Sequence, residues 1–265
     1  MNNFDNTLNI DEELESKEYR EEYDRHLDIL NSFLRTLVFI NLNCSRSETL
    51  KNKLFCLSVI DDLLQSLAAI KSLSAEGIRN ACRRELRYII ELTIKACLIS
   101  QKQSEKSTEE QIMQFRDTLR STNISMIKDI DFYFFDEPQK ERFITETKRQ
   151  YGLLCLYVHS TPYQMEERIK LDKKGRYIGF EGTNELRELN DEIGYALSNV
   201  LILLFHAIPQ WCVGDYIVEH DGYTVVTYYS KYSFFNIIDK CFDYKHERQD
   251  KLKELQSIRD SRVCY

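Results

Sequence analysis

The chain has little glycine and proline, the two residues that most often interrupt regular secondary structure. Its 265 residues include only eight glycines and three prolines. Because tight turns depend on these residues, their scarcity excludes a fold built from many short strands. It indicates long regular elements with few tight turns.

Short motifs that mark common cofactor sites are also missing. The sequence has no P-loop, no dinucleotide-binding glycine pattern, no G-x-S-x-G and no H-E-x-x-H. None of its eight cysteines forms a C-x-x-C pair, so we do not expect a structural zinc site. We therefore predict no cofactor and no metal.

Targeting and membrane signals are absent as well. The first residues are polar and acidic, unlike a signal peptide, and the longest apolar run, residues 200–205, is too short to span a bilayer. A cytoplasmic protein without membrane segments is the expectation. The net charge of −7 weighs against a broad nucleic-acid surface, although a local basic groove stays possible.

The hydrophobic pattern predicts a mainly α protein, a helical bundle with one or two small β-hairpin insertions. Residues 1–45 are predicted to form an N-terminal helix for packing or dimerisation, and residues 46–211 a helical core. Alternating residues about Lys174-Gly175 predict a hairpin or an excursion loop near 166–183. Residues 212–265 are predicted to add a hairpin about Asp221-Gly222 and a charged helix.

One predicted helix, residues 75–101, carries a charged stripe beside its apolar face. The stripe consists of Arg84, Arg87, Glu91 and Lys95, spaced by three or four residues so that they share one edge of a helix. A guanidinium in this position could bind phosphate, with Glu91 fixing its orientation. The alternative is an ion-pair ladder on a solvated helix face.

A histidine ends a second predicted helix, which runs from Pro138 to Thr161. Its last turns are apolar and finish with Tyr157-Val-His159-Ser160, so we expect a buried helix end. His159 could transfer protons as a general acid or base. The alternative is a histidine that caps the helix by bonding a carbonyl group.

Three further sets of residues are weaker candidates. His206 interrupts a buried run and is expected to be a core histidine, whereas His26 and His220 are expected to be exposed. The segment from Asp239 to Arg248 has acidic residues and a histidine at helical spacing, but interleaved cations favour a charged helix over a metal site.

The helix with Arg87-x3-Glu91, followed by a helix ending in Tyr-Val-His-Ser, resembles the helical HEPN superfamily across roughly residues 47–210. The resemblance implies a dimeric α-helical bundle, often found in RNA-cutting toxins and antiviral or stress systems. In active members an arginine and a histidine from each protomer cleave RNA without metal. The nearest arginine before the histidine here is Arg149, ten positions away, so Arg84 or Arg87 would have to supply the guanidinium.

Two functions follow. The first is a metal-independent endoribonuclease or nucleotide-directed effector in bacterial defence or stress. In it His159, Arg87, Glu91 and Arg84 would be catalytic, while Lys95, Tyr157 and Ser160 would bind substrate. Its partners would be RNA or a nucleotide, a second copy of the chain, and a partner protein of a defence or toxin–antitoxin operon. The second is a non-catalytic sensor or scaffold in which the Arg-Glu-His cluster is structural.

Overall fold

The computed structural model describes residues 10–119, 124–159, 161–174, 176, 182–218, 227–245 and 249–262. These residues form helices α1 to α12. In chain order the helices are Ile10–Glu15, Lys17–Cys44, Glu48–Lys53, Ile60–Ala75, Arg79–Lys102, Thr108–Thr118, Glu137–Cys155, Pro162–Lys173, Thr183–Ala207, Gln210–Ile217, Ser233–Lys240 and Gln249–Arg262. Short 3-10 turns are Phe55–Val59, Ser125–Asp129, Tyr228–Lys231 and Asp243–Lys245. The mainly α prediction is confirmed.

Helices α5 and α9 form the centre of the bundle. Helix α5 packs against α4, α7 and α9, and α2 packs on another side of α9. From Ala196 to Ala207 every residue of α9 is buried, so this helix is surrounded by neighbours. All three predicted segments, 1–45, 46–211 and 212–265, contribute buried side chains to one hydrophobic core.

The central helix begins later than its sequence pattern indicates. Gly77 has a positive φ of 64°, which favours glycine because it has no Cβ. The Ile78 amide donates to the Leu73 carbonyl at 2.7 Å and the Gly77 amide to Ser74 at 3.0 Å, so a Schellman motif ends α4. Helix α5 therefore starts at Arg79 rather than at residue 75.

The β-hairpin prediction is wrong for the described residues, which contain no strand. Pro162–Lys173 is helix α8, started by the Thr161 side chain, which accepts from the Gln164 amide. The Gly175 turn and residues 177–181 lie outside the described residues. For the second hairpin, residues 215–217 belong to α10 and 228–230 to a 3-10 turn, while Asp221-Gly222 lies outside the described residues.

No helix in the described part of the chain combines the length and the apolar character that crossing a bilayer requires.

Candidate functional site

Arg87, Glu91 and Lys95 lie on successive turns of α5 and form one polar network. Glu91 is its centre: its carboxylate accepts from Lys95 Nζ at 2.6 Å and from the Tyr151 hydroxyl at 2.8 Å, and lies 3.3 Å from Arg87 Nη2. Lys95 is only 1% exposed. Three of the four residues of the predicted stripe are therefore packed against α7, which supplies Tyr151, whereas Arg84 is exposed.

The ladder also reaches the end of α7. Arg87 Nε donates to Cys155 Sγ at 3.3 Å, and the Arg87 guanidinium lies 5.0 Å from the centre of the Tyr151 ring. Burial lowers the pKa of Arg87, but the Cys155 bond and the negative charges nearby raise this pKa by a larger amount, so the net shift is upward. Burial and the Glu91 bond raise the pKa of Tyr151. Both groups are held in the protonation states that the network needs.

A second cluster, centred on Arg83, was not predicted from the sequence. The guanidinium donates two hydrogen bonds to Glu192 of α9, from Nε to Oε2 at 2.7 Å and from Nη2 to Oε1 at 2.8 Å. Glu167 of α8 accepts from Nη1 at 3.3 Å, and the Tyr157 ring centre lies 4.2 Å from the guanidinium. Burial lowers the pKa of Arg83, yet Glu192 and the other negative groups raise it overall. Arg83 therefore joins α5, α8 and α9.

Arg79 extends this cluster by one turn. It is buried and lies 3.5 Å from both Glu167 and Glu188. Two arginines and three carboxylates thus form a charge-compensated seam between three helices.

His159 lies outside both networks. Helix α7 ends at Cys155, not at Thr161 as predicted, and residues 156–159 form tight turns. In these turns the amides bond three residues back, as from Tyr157 to the Leu154 carbonyl at 3.1 Å, and Arg84 Nε and Gln164 Nε2 both donate to the Tyr157 carbonyl, at 2.8 and 3.0 Å. The predicted burial of this end is correct for Tyr157 but wrong for Val158 and His159, which are exposed.

Arg84 and His159 nevertheless come from segments that touch. Arg84 is exposed, and its bond to Tyr157 attaches it to the turn that ends in His159. Ser160 lies outside the described residues. Of the predicted site residues, Arg87, Glu91 and Lys95 are tied together inside the bundle, Tyr157 lies under Arg83, and Arg84 and His159 face solvent.

A small cavity adjoins these networks. Its volume is about 120 Å³, and it is lined by Gln150, Leu153, Leu154, Leu156, Tyr157, Tyr163 and Glu192. Pockets for small molecules typically measure about 300–1,000 Å³. The space beside the Arg83 cluster is therefore too small for a nucleotide.

Among the remaining histidines, the structure agrees with the predicted burial of His206 and disagrees with the predicted exposure of His26. His206 is a core histidine, as predicted: Nδ1 bonds the Ile202 carbonyl at 2.7 Å, and the ring lies among Phe132, Tyr133 and Phe135. Burial lowers its pKa to about 4. His26 is fully buried against Asn190 at 2.8 Å, so its predicted exposure is wrong. His220 lies outside the described residues.

The acidic C-terminal segment makes ion pairs. Asp239 and Asp243 both contact Arg259 of α12. Glu247 and His246 lie outside the described residues, and no group of three metal-ligating side chains occurs in the part that is described.

Comparisons with protein family models, curated proteins and solved structures found no match.

Proposed function

We propose that this chain is a non-catalytic helical module that senses or scaffolds, and that its α5 polar networks are structural. The observation that supports this is the pairing of the buried cations. Arg83 is bound by Glu192 and Glu167, and Arg87 and Lys95 share Glu91. A guanidinium already bound by carboxylates must lose them before it can bind a phosphate.

The buried contacts of these networks connect α5 to its neighbouring helices. Glu167 and Glu192 come from α8 and α9, and the tyrosines come from α7 and its end, so Arg83 and Arg87 fix the positions of these helices on α5. Lys95 holds Glu91, one turn away on α5, in the position where it accepts from Tyr151 of α7. Bidentate arginine–carboxylate pairs tolerate little change in geometry, which makes them suited to fixing helix register. His159, a predicted member of this cluster, does not take part in it.

Thermal unfolding of variants tests the structural role. We expect Arg87→Ala to lower Tm by about 5 °C or more, because it removes contacts to α7; in a chain of this size 1 kcal/mol corresponds to about 2–4 °C. His159→Ala should change Tm by about 1 °C or less, since its side chain is exposed. The reverse order of effects would contradict the proposal.

A metal-independent RNA-cleaving effector of the HEPN type is the second candidate. It is favoured by the contact between Arg84 and the Tyr157 carbonyl, which places an exposed guanidinium beside the turn of His159. In this function Arg84 would bind the scissile phosphate, and His159 would remove the proton from the ribose 2′-hydroxyl. The partners of this second candidate would be RNA, a second copy of the chain and an operon partner protein.

Expression in a bacterial host separates the two functions. For the non-catalytic module, wild type, Arg84→Ala and His159→Ala give the same growth and intact total RNA. Cleavage by wild type that both variants abolish while remaining folded would establish the second candidate. Arg116→Ala, an exposed arginine of α6, is the matched control and should behave as wild type in either case.

A further inference from the structure

A larger cavity lies between α7, α9 and α11, on a different face of α7 from the Glu91 network. Its volume is about 380 Å³, and it is lined by Arg142, Glu146, Tyr195, Ser198, Asn199, Tyr232, Ser233 and Phe234. This volume falls within the range of about 300–1,000 Å³ typical of small-molecule sites.

Aromatic rings form the apolar walls of the cavity. The ring centres of Tyr195 and Tyr232 are 6.2 Å apart. Tyr232 reaches α9 because residue 194 is a glycine: a Cβ there would collide with the Tyr232 hydroxyl and lie 3.1 Å from the Tyr228 ring. A glycine inside a helix costs about 1 kcal/mol relative to alanine, so this close approach is retained against a local cost. Flat rings of this kind bind other flat rings by stacking.

The polar groups of the cavity wall come from α7 and α9. Glu146 accepts a hydrogen bond from the Tyr195 hydroxyl, and burial followed by this bond raises the pKa of Tyr195, which keeps it a donor. Asn199 is held by Gln150 at 3.0 Å. A carboxylate at the wall of an aromatic cavity accepts hydrogen bonds only, so it selects ligands that present donors.

Arg142 is fixed at the mouth. Nη2 donates to Ser233 Oγ at 2.9 Å, Nε lies 3.5 Å from Glu146 Oε1, and the guanidinium stacks 4.4 Å from the centre of the Phe234 ring. Its side chain is 45% exposed. Among the described residues Nη1 has no hydrogen-bond partner. A preorganised guanidinium with one open edge is suited to a phosphate group.

We propose that this cavity binds a guanine nucleotide. The ring would stack on one of the two tyrosines, whose planes are 54° apart. The N1–H and N2–H donors of its Watson–Crick edge would meet the remaining lone pairs of the two Glu146 oxygens, beside Tyr195 and Arg142, and the phosphate would meet Arg142. Adenine presents an acceptor at N1, which the carboxylate repels. The site does not depend on the proposed role of the α5 networks.

Isothermal titration calorimetry of the full chain with GMP tests this site. We expect saturable GMP binding, and AMP binding at least about tenfold weaker, equal to about 1.4 kcal/mol. Glu146→Gln should weaken GMP and guanosine alike by about tenfold, because it replaces an acceptor with a donor. Arg142→Ala should weaken GMP by about tenfold and leave guanosine unchanged.

Controls on exposed positions make the result specific. Glu141→Gln on α7 and Arg116→Ala on α6 carry the same chemical changes on exposed side chains and should bind GMP as wild type does. Circular dichroism spectra identical to wild type show that each variant is folded. No GMP binding by wild type, equal affinity for AMP, or Glu146→Gln binding as wild type would each overturn the proposal.

Discussion

Replacing Arg83 with methionine should destabilise the protein strongly. Its side chain is 2% exposed, donates two bonds to Glu192, and shares Nη1 between Glu167 and Asn80. Removing one partner of a buried ion pair costs about 3–5 kcal/mol. Since Glu192 is 36% exposed and can recover water, we expect the low end, about 3 kcal/mol.

Two further variants separate the contributions at this site. Arg83→Lys keeps the charge but loses the fork that binds Glu192, so its cost should be intermediate, about 1–2 kcal/mol. Arg83→Met combined with Glu192→Gln should recover more than half of the loss, because the second substitution removes the carboxylate that loses two bonds, while Glu167 still lies 3.5 Å from Arg79.

Urea unfolding at pH 7 followed by circular dichroism measures these free energies. Arg116→Ala, which changes an exposed arginine of α6, is the control and should stay within about 0.5 kcal/mol of wild type. An Arg83→Met variant within 1 kcal/mol of wild type, at an unchanged m value, would refute the reasoning.

Two further predictions concern the stability contributed by core residues. His206 has a folded pKa of about 4 against 6.5 unfolded, so the unfolded state binds the extra proton first as pH falls. The free energy of unfolding should therefore fall by about 3 kcal/mol as pH drops from 6.5 to 4. Urea titrations should show a smaller pH dependence in His206→Asn, and an equal pH dependence would argue against this prediction. Tyr133→Phe should cost about 1–3 kcal/mol, because the hydroxyl bonds the Phe205 and Ile208 carbonyls at 2.6 and 2.8 Å; a melting temperature equal to wild type would contradict this.

The predictable part of the fold is its helical periodicity. On α5, residues Leu86, Ile90, Ile94 and Cys97 are buried on the face that the sequence pattern indicates. Arg83 lies one turn before Leu86 on that same face, and this position was the available signal that it would be buried. Its partner Glu192 is 109 residues away in the chain, so no local pattern could identify it.

Where local signals conflicted, capping chemistry proved more reliable than alternation. Thr161 followed by Pro162 is a helix start of the same kind as Asp136 with Pro138, yet the alternating residues after it suggested a strand. The end of α7 was predicted too late for a different reason: Pro162 marks the last position a helix can reach, but it does not show that residues 156–159 leave the helix earlier as turns. His26 was misjudged because its neighbours in the chain are charged, whereas its partner Asn190 belongs to α9.

The coupling free energy between Glu91 and Lys95, one turn apart on α5, tests most directly whether the buried cations of this helix belong to a structural network. Glu91→Leu, Lys95→Met and the double variant complete the cycle, measured by urea unfolding. We expect Glu91→Leu to cost about 3–5 kcal/mol by leaving the buried Lys95 ammonium without its 2.6 Å partner, and the double variant to recover about 2 kcal/mol of that loss. A coupling near zero, with both single variants as stable as wild type, would contradict a structural network.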